Sequence, residues 1–400
     1  MMVTRTHSSK QLPSIPLFRL GFRPFFLGAG LFAIVGMSFW MAAYTFSLSV
    51  LPPHLPPMVW HAHEMIYGYA FAVLAGFLLT AIRNWTDIPT IRGSRLFAVF
   101  LLWALARCSS LIPGQSAMII AGIWDGLFAV SLGLALAAPI LQAKQWRQLG
   151  IIGKVLVLMI GNGLYYLGVT TILPDGIRIG LFLGLYTILS LIFVLARRVI
   201  PMFMARALDK TVQVKNYSWV DGSSLPLFVA FVIADVFLQS AVWTAWLALA
   251  LCVVHGVRLW GWHLPGLWKK PLLWVLYVAY AWLVFGFSLK WAVWAMDVSP
   301  SLAIHAWATG GIGLMTLGMM ARVSLGHTGR NVLEPPALVC PLFLIMVGSA
   351  CLRVLFPLLW PALERLWVGL SQALWFAAFS LFVILYAPML LQPSLESEED

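Results

Sequence analysis

The sequence predicts an all-α integral membrane protein, about twelve membrane-spanning helices packed in one bundle. Three observations carry this. Hydrophobic residues make up 62% of the chain and charged residues only 10%, whereas soluble domains carry roughly 25% charged residues. The apolar residues fall into about twelve runs near the ~20-residue length that crosses a bilayer. The longest polar stretch between them, 199–223, is too small for a soluble domain.

The runs follow in order. Arg5, Lys10, Arg19 and Arg23 precede the first span, 24–46. That span is too long for a signal-peptide core and lacks a small-residue cleavage site, so it is expected to stay as an anchor. The second span, 58–82, follows the loop "LPPHLPP" and is closed by Arg83, Arg92 and Arg95. Spans 95–111 and 118–141 lead to Lys144, Arg147 and Lys154. Spans 152–172 and 178–198 lead to Arg197, Arg198, Arg206, Lys210 and Lys215. Spans 224–239 and 241–258 are short and poorly separated, and Arg258, Lys269 and Lys270 close them. Spans 271–294 and 301–321 end at Arg322 and Arg330. Spans 336–355 and 367–391 complete the set.

Twenty of the 25 Lys and Arg therefore lie on one side. The positive-inside rule makes that side cytoplasmic and puts both termini there. The net charge of +11 thus sets topology and does not indicate a nucleic-acid partner. Residues 1–23 form a cytoplasmic, interfacial N-terminal segment. Residues 24–391 form a single transmembrane domain, and 392–400 an acidic cytoplasmic tail. The four cysteines, Cys108, Cys252, Cys340 and Cys351, sit in apolar runs without a CxxC pair, which argues against a disulfide framework or thiolate metal site.

Ionisable groups inside a bilayer are costly unless paired or solvated, and so mark function. The second span opens with "WHAHEMIYGY", which carries His61, His63 and Glu64. His305 opens the tenth span at the same expected depth, toward the periplasm. Arg107, Asp125 and Asp235 are expected near that depth too, with Asn162 in mid-span. Arg107 is expected to be held by Asp125 or, failing that, Asp235. At about 100° per residue, His61 and His63 point about 160° apart and serve different partners. On a regular helix Met65, Gly68, Ala72 and Ala75 continue the His61 face, a small surface that admits a flat ligand. Tyr67 lies one turn below His63.

In the tenth span, Gly310, Gly311, Gly313 and Gly318 predict a thin helix with close backbone approach. His305 and His327 would be about 33 Å apart along one helix, at opposite membrane faces. Neutral imidazole is a common metal ligand and the usual axial ligand of haem. His61, His63 and His305 are the ligand candidates on this ground. His54, in a proline-rich loop, His255, at the edge of the eighth span, and His327, in "GHTGR", are weaker candidates. His263 is expected to be uninvolved.

Three blocks, "PLFRLGFRPFFLGAGLFA" (16–33), "WHAHEMIYGYAFAVLAGFLLTAIRNWT" (60–86) and the tenth-span run ending "SLGHTGR" (324–330), together resemble the NnrS family. The resemblance extends over the whole length. It departs from the family's pattern at Arg83, where a small residue or proline is expected. It implies a twelve-helix bacterial inner-membrane protein with haem of b type and copper, linked to nitric oxide and nitrosative stress. The activity then expected is nitric oxide reduction or detoxification, with electrons from a quinol or cytochrome. The alternatives are a nitric oxide binding or sensing protein without turnover, and a transporter of a metal or metal–nitrosyl species. His61 and His305 are expected to share an axial haem site. His63 would serve a second haem or copper above Tyr67. Glu64 would orient a ligand or carry protons, with Arg107 and Asp125 in support.

Overall fold

The computed structural model describes residues 15–53, 55–208 and 214–395. Among these residues every regular element is helical. The helices are α1 (Phe22–Tyr44), α2 (Pro57–Thr86), α3 (Ser94–Ser109), α4 (Gln115–Gln142), α5 (Trp146–Val169) and α6 (Gly176–Ala207). They continue with α7 (Ser218–Phe237), α8 (Ala241–Gly261), α9 (Pro271–Ala295), α10 (Pro300–Gly326), α11 (Val339–Leu359) and α12 (Pro361–Leu391). Eleven are long and apolar enough to cross a membrane. The exception, α3, has 16 residues, about 24 Å of helix, which falls short of the ~30 Å hydrocarbon core. The chain is a multi-pass membrane protein.

Helix is the form a chain takes in lipid because each backbone N–H and C=O must find its partner within the segment. Consecutive helices pack against one another, and α12 returns to α1. This closure places both described ends together. Arg23, buried at the start of α1, donates to the Leu390 carbonyl at 3.2 Å near the end of α12. The backbone N–H of Leu395 donates at 3.1 Å to Thr328, just beyond α10. The two described ends, near residues 15 and 395, therefore meet at one end of the bundle. Arg5, Lys10, His54, Lys210 and the tail 396–400 lie outside the described residues.

Burial separates inner from outer helices. In α2, 83% of the most apolar stretch is buried, against 28% in α7. The inner position of α2 and α10 sets the histidines against protein, not lipid.

Among the described residues, three helices carry a π-helical segment. Glu64–Ala70, Ile233–Phe237 and Ala306–Gly313 are π-helical. A π segment inserts an extra residue per turn and rotates all that follows. Two of these begin directly after His63 and His305. The rotation corrects one expectation: Gly68 turns toward Phe32, Glu64 and Arg107, away from the His61 side. Below His61 stand Met65, Ile66 and Tyr69. Freed backbone groups find side chains, as when Trp103 donates to the Gly68 carbonyl at 2.8 Å.

The α10 glycines also differ from expectation. A Cβ at Gly310 would meet Trp282 at 2.5 Å and one at Gly311 would collide with Leu283. Large side chains of neighbouring helices, not backbones, fill those notches. Backbone approach occurs instead between α5 and α6, where a Cβ on Gly180 would lie 2.5 Å from the Gly161 carbonyl.

Candidate functional site

The two histidines of "WHAH" face opposite sides of α2. On one side is a cavity of roughly 340 Å³, lined by α1, α2, α6, α10, α11 and α12. That volume lies at the small end of ligand sites. His61 and His305 both line it, as do Arg353, Gln372, Trp40 and Trp375. The His61 ring stacks on Trp40 at 4.4 Å and 8°. Its Nδ1 is buried and makes no hydrogen bond.

His305 is oriented by its own helix. Its Nδ1 lies 2.8 Å from the Ser301 carbonyl. A carbonyl only accepts, so Nδ1 carries the proton and Nε2 keeps the lone pair. Arg353 donates to that lone pair at 3.2 Å and to Ser301 Oγ at 2.8 Å. A backbone carbonyl that fixes the tautomer is the usual support of a ligating histidine.

Arg353 has no carboxylate within ion-pair distance among the described residues, and its Nη1 is buried without a partner. Gln372 accepts from Thr45 at 2.6 Å, while its Nε2 is likewise unmatched. Buried polar atoms are rarely left unpaired in native proteins. Three of them (His61 Nδ1, Arg353 Nη1 and Gln372 Nε2) gather at one cavity. His61 and His305 are nitrogen donors that could hold a metal-centred cofactor there, His305 once Arg353 releases its Nε2. Arg353 is a cation that could meet its anionic substituents.

On the other side of α2 lies a closed charge cluster. Arg107 donates to Glu64 at 2.7 Å and pairs with Asp125. The Asp125 partnership is the expected one; Glu64 is an additional partner. Asp235, the other expected candidate, pairs instead with Lys290 at 2.8 Å and takes a hydrogen bond from Tyr186. Tyr166 donates to Asp125 at 2.8 Å. His63 stacks on Tyr165 at 4.0 Å. Its Nδ1 lies 3.1 Å from Glu64, and its Nε2 lies 2.9 Å from Asn162 Oδ1.

Both His63 nitrogens therefore face oxygen atoms of the protein, and neither opens on a cavity. Tyr67 is beside it, 5.1 Å between rings, but its hydroxyl donates to the Gly180 carbonyl at 2.6 Å. A groove of roughly 630 Å³ between α4 and α5 is lined by Asp125, Asn162 and Tyr166.

The weaker candidates lie elsewhere. His255 is buried in α8, 2.6 Å from the Tyr280 hydroxyl and stacked on Phe193. His327 follows α10 at the opposite end from His305, 5.8 Å from the Phe22 ring. His263 is exposed beside Trp268 and Tyr277. Among the described residues no three His, Cys, Asp or Glu side chains converge as a metal centre.

Sequence reasoning passed over Arg353, Gln372 and Trp40. A signal for Arg353 existed: it is a lone cation in an apolar span, the same signal that marked Arg107. Gln372 and Trp40 carry no such mark, because single polar and aromatic residues are common in membrane helices.

No individually curated protein matches the chain. The family model described as NnrS protein matches residues 16–394, nearly the whole length, including both sides of α2 and all of α10. The chain belongs to the NnrS family.

Proposed function

We propose that this is a bacterial inner-membrane haem protein that acts on nitric oxide, with its haem in the cavity between α2 and α10. The observation that carries this reading is the gathering of His61, His305, Arg353 and three unmatched buried nitrogens around one cavity. The donor set fits haem: imidazole for the iron, a cation for the propionates, and flat aromatic walls at Trp40 and Trp375. His61 and His305 would hold it. Bound haem would supply redox-active iron for chemistry on nitric oxide, a small neutral molecule that enters from lipid.

The chain's own residues have distinct tasks in this reading. Ser301 fixes the His305 tautomer. Arg353 offsets anionic charge. The aromatic and methionine walls exclude water. Reduction of nitric oxide to nitrous oxide consumes protons and electrons, so a proton store beside the cavity is useful. Glu64 with His63 and Asn162, joined through Arg107 to Asp125 and Tyr166, forms a hydrogen-bonded group across the α2 backbone from His61. We assign His63 to that group. The electrons would come from a quinol or a cytochrome.

The test is haem content and reduced-minus-oxidised spectra of purified wild type, His61→Ala and His305→Ala. Each substitution is expected to remove or shift one haem signal, whereas His263→Ala leaves the spectrum unchanged. A His305→Ala protein with full haem and an unaltered reduced spectrum would overturn the assignment. Continuing nitric oxide consumption by the reduced protein marks an oxidoreductase. Uptake that stops at saturation marks a binding or sensing protein.

A further inference from the structure

At the opposite end of the bundle, α5, α6, α7 and α8 enclose a second pocket of roughly 230 Å³. Arg147, Lys154, Arg197, Arg198 and Arg258 line it, and Asp221 is its one carboxylate. Five cations to one anion leave four positive charges in a space that would hold only a handful of waters. A neighbouring pocket at this end brings together only Arg206 and Arg322, beside His327.

The pocket is also ordered. Arg258, nearly fully buried, donates to Asp221 at 2.7 Å, Ser224 at 3.3 Å and Tyr280 at 3.2 Å. Arg197 lies 3.6 Å from the same Asp221. Arg198 donates to Gln148 at 3.1 Å. One carboxylate thus holds two guanidinium groups, and Arg147 has no acidic partner among the described residues. Like charges so close repel unless an anion joins them. Beneath the basic rim the wall is apolar: Ile151, Phe193, Leu225 and Phe228.

We infer that this pocket binds a phosphate group, and that its apolar wall fits it for the headgroup and upper chain of an anionic phospholipid. Basic pockets between membrane helices bind such headgroups by the same charge and shape. Free inorganic phosphate has the same anionic chemistry without the tail.

The test uses delipidated full-length protein and native mass spectrometry. Phosphatidylglycerol and phosphatidylcholine of equal chain length are titrated separately, and inorganic phosphate is followed by the shift in melting temperature. The triple variant Arg147→Gln/Lys154→Gln/Arg198→Gln removes only rim charges, leaving Arg258 and Asp221 intact. Arg83→Gln/Arg92→Gln/Arg95→Gln removes equal charge at exposed sites outside the pocket. The first variant is expected to weaken phosphatidylglycerol binding at least about tenfold, with phosphatidylcholine unchanged and the second variant like wild type. A phosphate-induced shift lost only in the first variant, without lipid discrimination, assigns the site to free phosphate. Equal losses in both triple variants, or neither anion distinguishing the first variant from wild type, would overturn the proposal.

Discussion

At the residue scale, the cations at the histidine end are sorted by their partners. Arg107 meets Glu64 and Asp125, Lys290 meets Asp235, and Arg178 lies 3.7 Å from Asp175. Arg365 is exposed and donates to the Thr45 carbonyl at 2.9 Å. Arg353 has only Ser301 and His305, and it lines the cavity. A hydrogen bond to a charged group contributes about 1.5–3 kcal/mol. Arg353→Leu should therefore lower the affinity for added haem by about tenfold or more, with Arg365→Leu near wild type. Equal haem affinity of the two variants would remove Arg353 from the site. Arg107 supports a second test. Removing it leaves two buried carboxylates uncompensated, a loss of about 3–5 kcal/mol. The double variant Arg107→Leu/Asp125→Asn should melt higher than Arg107→Leu alone. Strictly additive effects would show that the pair is not coupled. The Arg107–Asp125 pair was legible because the sequence places both at one depth in adjacent spans. Glu64 as a further partner was not, because its direction depends on a helix that is locally not α.

At the element scale, that departure explains what the sequence hid. His61 and His305 share a cavity because each stands in the first turns of an inner helix, which apolar periodicity and loop charge locate well. The faces beneath them could not be read at 100° per residue, since the π segments Glu64–Ala70 and Ala306–Gly313 rotate the following residues. Nothing in residue type alone separates a π turn from an α turn; its stability comes from tertiary partners such as Trp103 on the Gly68 carbonyl. The glycines were misread for a related reason. A glycine signals close approach but not whose atoms approach. At Gly310 they belong to the Trp282 indole; at Gly180 they are the backbone of α5. An indole can shift, whereas a helix backbone moves only as a whole. Gly180→Ala should thus destabilise by about 1–3 kcal/mol, while Gly133→Ala, with nothing near its Cβ, should be neutral. Thermal melts of the purified proteins decide this. An unchanged melting temperature for Gly180→Ala would show that α5 and α6 separate freely.

At the scale of the whole molecule, the bundle divides its charge by end. Arg23 bound to the end of α12, and Leu395 bound beyond α10, hold both described termini at the end away from the histidine cavity. The basic pocket of Arg147 and Arg258 opens at that same end, where most of the cations lie. Loop cations resist translocation, so this end is expected to face the cytoplasm and the cavity the periplasm. The orientation decides how the proposed chemistry is supplied: protons and a soluble donor would reach the cavity from the periplasm, and anionic inner-leaflet lipid would reach the basic pocket. Cysteine labelling in the otherwise cysteine-free chain tests it. Ser49→Cys, exposed in the loop before α2, should react with a membrane-impermeant maleimide in spheroplasts. Lys269→Cys, exposed before α9, should react only after the membrane is opened. The reverse pattern would place the histidine cavity on the cytoplasmic side and leave the positive-inside bias without its usual consequence.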